Sequence, residues 1–269
     1  MDKLKIILKN SFKKFKSSQS YQSLKNITLL RNIKLASGQI IWKLFPAKYR
    51  FHDDPIFQSI FKLVGKEINA TSIVETGTFL GYSTSLMAEQ FPKLPIFTTE
   101  INKTNFKKAT SFLSKFKNIS LYNQTSTKFL EFLIKEKKLG KNPLFFLDAH
   151  WLDHWPIEEE LKIITKKLKS AVIVIDDFKV PGNDNFKYDH YKNKVCSLEL
   201  ITSQMNKKNK YALLLPNYSL KDLKKNKFYP DLTGYPIIFQ NMPQQFKRFS
   251  SLPFVKKFFV DRSDLIDRL

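Results

Sequence analysis

From about residue 55 the apolar positions switch regularly between helical and strand spacing. The pattern predicts helices at Ile56–Lys66, Ser83–Gln90, Lys103–Phe116, Ser126–Lys137 and Ile157–Leu168. Between them it predicts strands at Ser72–Glu75, Ile96–Glu100, Ile119–Tyr122, Pro143–Asp148 and Ala171–Asp176. Leu144–Leu147 and Val172–Ile175 are apolar throughout, as strands buried on both faces are. Strand and helix alternating at this interval argue for a parallel sheet covered on both sides. Two later strands, Tyr211–Leu215 and Tyr235–Phe239, flank a Lys-rich insertion. The expectation is an α/β domain with a doubly wound, mostly parallel seven-stranded sheet.

Residues 1–50 break the pattern. They hold about a dozen Lys and Arg and a single acid, Asp2, with Leu4, Ile7, Leu8, Phe12 and Phe15 at helical spacing. This reads as a basic, largely helical N-terminal extension, ending near Pro46 or at the His52–Pro55 turn. Docking on the domain or on a second subunit, as in a homo-oligomer, peripheral contact with an anionic membrane, and a mobile tail all remain open. The expected division is the extension at 1–50, the main domain at 51–245, and a basic, aromatic tail at 246–269 with no assigned role.

The net charge of +22 points toward nucleic acid or an anionic surface. The charge is spread widely, however, and comes mostly from Lys, so a solvated coat explains it. A lone cysteine, Cys196, forms no intrachain disulfide and no thiolate metal cluster. With no secretory signal and no run of about 20 apolar residues, the expected location is cytoplasmic, with the inner membrane face open as a peripheral site.

The chemistry concentrates at predicted strand ends. Glu75-Thr76-Gly77-Thr78-Phe79-Leu80-Gly81-Tyr82-Ser83 follows the first strand and opens a helix, where glycines permit a tight turn and close approach to a ligand. Glu100 ends the next strand, and a carboxylate there accepts hydrogen bonds from ribose hydroxyls. Asn123-Gln124-Thr125-Ser126 follows the third strand. Asp148-Ala149-His150-Trp151 follows the fourth, and Asp176-Asp177 the fifth. The ends of neighbouring parallel strands share one edge, so three Asp carboxylates converge there, a set suited to a hard divalent ion.

The acidic residue with Gly77 and Gly81 resembles the first motif of class I S-adenosylmethionine-dependent methyltransferases, which have a Rossmann-like fold. The resemblance implies that Glu75, Thr76, Gly77, Thr78, Gly81, Tyr82, Ser83, Glu100, Thr125, Ser126 and Asp148 bind the cofactor. The Asp148 and Asp176-Asp177 pattern resembles metal-dependent O-methyltransferases acting on sugar rings of natural products. It implies Asp148, Asp176 and Asp177 as ligands of Mg²⁺ or another divalent cation, with Asp148 and His150 catalytic and His150 as general base. The acceptor is then a small molecule or a glycan. The Asn123–Ser126 turn departs from the Gly-Asp-Ser often found there.

Other readings stay open. Asp176-Asp177 also suits a helix cap or strand-end turn, and His150 a pocket wall. Trp151 and Trp155 read as packing residues. Glu158, Glu159 and Glu160 read as first-turn acids favoured by the helix dipole. Val180–Tyr191 reads as an acceptor loop or a plain surface loop. A nucleic-acid methyltransferase is the main alternative, but the D/N-P-P-Y/F motif of base-amino methylation is missing after the fourth strand. A non-methyltransferase of the same fold is the other.

Overall fold

The computed structural model describes residues 50–149, 155–223 and 232–267. In chain order the main elements are α1 (Pro55–Glu67), β1 (Ser72–Thr76), α2 (Tyr82–Gln90), β2 (Ile96–Thr99), α3 (Lys103–Leu113), β3 (Ile119–Tyr122), α4 (Ser126–Lys135), β4 (Pro143–Leu147), α5 (Ile157–Lys167) and β5 (Ala171–Ile175). They continue with α6 (Leu198–Thr202), β6 (Tyr211–Pro216), β7 (Ile237–Gln240), α7 (Pro243–Ser251), α8 (Pro253–Phe258), β8 (Phe259–Asp261) and α9 (Asp264–Asp267).

The strands form one sheet in the order β8-β6-β7-β5-β4-β1-β2-β3. The five from β5 to β3 are parallel; β7, β6 and β8 add antiparallel pairs at the other side. Val74 in the middle of β1 pairs with Phe97 on β2 and Phe145 on β4. Every residue of β1, β4 and β5 is buried, because helices cover both faces there. The expected doubly wound α/β sheet is therefore present, and each expected element lies within three residues of its predicted bounds.

The sheet has eight strands, one more than expected. The extra strand comes from the tail at 246–269. Val255, Phe258 and Phe259 are buried, and β8 pairs with β6 through Phe259 opposite Pro216 and Val260 opposite Leu215. Phe246 and Phe249 of α7 pack against Phe239 at ring distances of 5.4 and 5.5 Å. A three-residue strand shows no measurable alternation in sequence, which is why its pairing was invisible.

The expected basic helix at the N-terminus lies outside the described residues. Among the described residues, no helix is long and apolar enough to cross a membrane.

The segment before α1 is tied to distant parts of the chain. Asp54 caps α1, its Oδ1 accepting from the N–H groups of Ile56 at 2.9 Å and Phe57 at 3.1 Å. Its Oδ2 accepts from the Tyr218 hydroxyl at 2.8 Å, and Tyr218 and Tyr235 share a hydrogen bond of 2.9 Å. Tyr235 also stacks on Phe57, ring centroids 3.7 Å apart. One buried carboxylate thus joins the start of α1 to the loops around β6 and β7. Asp54→Ala removes the cap and leaves a buried hydroxyl without its acceptor, an expected loss of about 2–4 kcal/mol in urea unfolding. Tyr218→Phe should cost less in that background than in the wild type; fully additive losses would mean the two residues act independently.

Candidate active site

The C-terminal ends of β1, β2, β4 and β5 meet at one edge of the sheet. A cavity opens there, lined by His52, Glu75, Gly77, Thr78, Phe79, Leu80, Tyr82, Ser83, Asp148 and Asp176. Of the residues expected at the site, Glu75, Gly77, Thr78, Tyr82, Ser83, Asp148 and Asp176 come together on this wall. Thr76, Gly81, Glu100, Thr125, Ser126 and Asp177 do not line it. His150, expected as the base, lies outside the described residues, as do Trp151, Asp153 and His154. Trp155 packs against the core.

The β1–α2 turn is built from its own bonds. Gly77 and Thr78 donate their N–H groups to Thr99 O at 3.1 and 3.0 Å, and Gly81 donates to Thr78 O at 2.8 Å. Gly77 and Gly81 both have positive φ, 89° and 84°. A Cβ on Gly77 would fall 2.2 Å from Asp148 O, and one on Gly81 would fall 2.8 Å from the Leu113 side chain. Both glycines are thus demanded by close approach of the chain to itself.

Glu75 is buried and accepts hydrogen bonds from Thr84 Oγ1 at 2.5 Å and Thr98 Oγ1 at 2.6 Å. Burial pushes its carboxyl up to about 7, with the two hydroxyls opposing. Glu100 accepts from Phe79 N and Asn102 N, both at 2.7 Å, so the acid after β2 braces the loop after β1. Its carboxylate has further acceptor positions beyond these two. Asn123 donates to Glu100 O at 2.6 Å, drawing the β3–α4 turn to the same place.

Glu160 departs from its two neighbours. Glu159 pairs with Lys162 at 2.9 Å and Glu158 pairs with Lys194, both near solvent. Glu160 is buried, facing Thr76 and Ser126, and burial pushes it up to about 7 against the pull of those two hydroxyls. None of Thr76 Oγ1, Ser126 Oγ and Glu160 Oε1 reaches good hydrogen-bond geometry.

The acidic residues after β4 and β5 stand close enough to perturb one another. Asp148 is raised well above the usual carboxylate range, by burial first, then by Asp176, Asp177, Glu75 and Asp189. Asp177 is raised by burial and by Asp176, with His52 opposing. Asp189 comes from the expected acceptor loop, which is pinned here by its N–H to Asp177 O at 2.8 Å. In that loop Phe186–Lys187 pairs with Leu232–Thr233, and His190–Tyr191 pairs with Lys194–Val195. Cys196 is buried beneath, its thiol 3.9 Å from Asp176 O.

His52 was missed by sequence reasoning, which treated it as part of a turn. Its Nε2 lies 2.7 Å from Asp176 Oδ2 and 4.0 Å from Asp177 Oδ1. Phe51, His52 and Asp53 all have left-handed backbones, φ 48°, 53° and 56°, at a cost of roughly 1–2 kcal/mol each. Neighbours hold the turn. Phe51 is buried against Phe57, Phe61 and Phe146 at 4.8, 4.9 and 5.0 Å, and Arg50 forks onto Glu89 at 3.0 and 3.1 Å. The Phe51 N–H donates to Ser83 Oγ at 3.3 Å.

The O-methyltransferase family profile matches residues 56–211, more than half of the 269-residue chain. The chain belongs to the O-methyltransferase family. The expected kinship with class I S-adenosylmethionine-dependent O-methyltransferases is thereby borne out. The fold is shared with an O-methyltransferase from Bacillus cereus solved with S-adenosylhomocysteine (TM-score 0.51, 16% identity, covering 81% of this chain and 96% of that one). It is also shared with a candidate O-methyltransferase from Klebsiella pneumoniae (TM-score 0.50, 20% identity, covering 70% and 81%). No curated protein matches the sequence.

For this methyltransferase the buried acids set a pH dependence. Glu75 and Glu160 release their protons near 4.5 when unfolded and near 7 when folded. The folded state therefore binds more protons between these values, and stability falls as pH rises through that window. Each group accounts for on the order of 3 kcal/mol. Glu160→Gln keeps the neutral form, so urea unfolding in chelator at pH 5 and pH 8 should show a shallower decline than in the wild type. An identical decline would mean that Glu160 ionises normally.

Proposed function

We propose that the enzyme transfers the methyl group of S-adenosylmethionine to a hydroxyl of a sugar or similar small acceptor, assisted by a divalent cation. The observation that carries this reading is the meeting of Asp148 and Asp176 with the β1–α2 loop in one cavity, with Asp177 alongside. Glu75, the loop at 77–83 and Glu100 form the cofactor side, where Glu100 keeps acceptor capacity for ribose hydroxyls. The carboxylates after β4 and β5 form the acceptor side.

The donor set suits a cation. Asp148 and Asp177, raised first by burial and then by neighbouring carboxylates, stand in the environment a hard divalent ion relieves, and Asp148, Asp176 and Asp177 are the residues to hold it. Once bound, such an ion supplies Lewis acidity that lowers the pKa of an acceptor hydroxyl. His150, two residues beyond Asp148, is the base in this reading. The acceptor oxygen bonds to the methyl carbon as the carbon–sulfur bond breaks, and the hydroxyl proton passes to His150. The same acidic rim repels a phosphate backbone, which argues against a nucleic-acid acceptor despite the net charge.

Calorimetric titration with S-adenosylmethionine and S-adenosylhomocysteine tests the cofactor side. Saturable binding is expected, weakened by at least about tenfold in Glu100→Ala. No binding to the wild type would overturn the proposal. On a panel of hydroxylated acceptors, EDTA and Asp176→Ala should each abolish methyl transfer, and His150→Ala should slow it by about 10²–10⁴-fold. Full activity of Asp176→Ala in EDTA would remove the metal from the reading.

A further inference from the structure

We propose that His52 is a ligand of the divalent cation, so that the centre is a mixed nitrogen–oxygen site of His52, Asp176 and Asp177 that selects a borderline ion such as Co²⁺, Ni²⁺ or Zn²⁺ over Mg²⁺. This rests on the metal-assisted reading above and changes both its ligand set and its ion.

Among the described residues, these three offer donor atoms that all lie within 4.8 Å of one another. Asp148 stands outside this tight group. The separations suit shared coordination. Around an octahedral ion with bonds of about 2.1 Å, adjacent donors are about 3.0 Å apart and opposite donors about 4.2 Å. His52 Nε2 lies 2.7 Å from Asp176 Oδ2 and 4.0 Å from Asp177 Oδ1. Both distances lie close to the spacing of donors that share one ion.

The approach of His52 is also built into the fold. It arrives from outside the sheet, 124 residues from Asp176 in sequence, on a turn of three left-handed residues. Such a backbone persists only where its surroundings over-determine it. Phe51 is sunk in an aromatic cluster on one side of His52, and Asp54 is fixed by the α1 cap and Tyr218 on the other. The imidazole keeps 36% of its side-chain surface exposed and lines the cavity, so an ion can reach it. Imidazole nitrogen suits Zn²⁺, Ni²⁺ and related ions, whereas Mg²⁺ prefers oxygen donors and retained water.

The test is titration of the full-length protein with Co²⁺ and, separately, with Mg²⁺, in the wild type, His52→Ala and His52→Asn. Binding is read by calorimetry, and for Co²⁺ by its visible absorption as well. Thermal melts of the metal-free proteins show whether each variant is folded, and either folded variant suffices. The expected result is a loss of at least about tenfold in Co²⁺ affinity with a changed absorption band, and a change of less than about threefold for Mg²⁺. Unchanged Co²⁺ affinity and spectrum would make His52 only an ion-pair partner of Asp176 and overturn the proposal while leaving a metal site in place. Failure of the wild type to bind either ion would overturn the metal-assisted reading itself.

Discussion

Carboxylates that repel one another stand together at one edge of this sheet because adjacent parallel strands end there. β1, β4 and β5 are neighbours, so backbone pairing delivers Glu75, Asp148 and Asp176 to the same cavity. The strands beneath are apolar and fully buried, which deprives Glu75 and Asp148 of water and raises their affinity for protons. Every other feature of the edge answers this constraint. Thr84 and Thr98 hold Glu75, backbone N–H groups hold Glu100, and His52 is brought to Asp176.

The turn carrying His52 shows how the fold sustains an unfavourable local geometry. Three left-handed residues oppose folding, while burial of Phe51, the Arg50–Glu89 fork and the Asp54 cap favour it. Tyr218 and Tyr235 extend that support to the antiparallel side of the sheet. The long stretch after β5 thereby contributes to the site from a distance: it steadies the turn and brings Asp189 to Asp177.

What could be read from sequence was what depends on local pattern. Helix and strand periods in residues 56–176 predicted the five helix–strand pairs from α1–β1 to α5–β5, and strand ends predicted which acids would meet. What could not be read depends on pairing across long separations. His52 lies 124 residues from Asp176, and nothing in His-Asp-Asp-Pro distinguishes a site turn from an ordinary helix cap. Glu160 looks like its exposed neighbours Glu158 and Glu159, yet helix phase turns it inward against Thr76 and Ser126. Gly77 was visible as a needed glycine, but the reason, contact with Asp148 O, required β4 to be in place. β8 was too short to show alternation.

The central claim is that one edge holds two adjoining subsites, a cofactor side at the β1–α2 loop and a cation side beneath His52. Hydrogen–deuterium exchange with S-adenosylhomocysteine and with a divalent ion, added singly, tests it most directly. The account predicts slower exchange at residues 77–83 and 100–102 with the first ligand, and at 50–54 and 176–178 with the second. Protection confined to other segments, or none with either ligand, would contradict it.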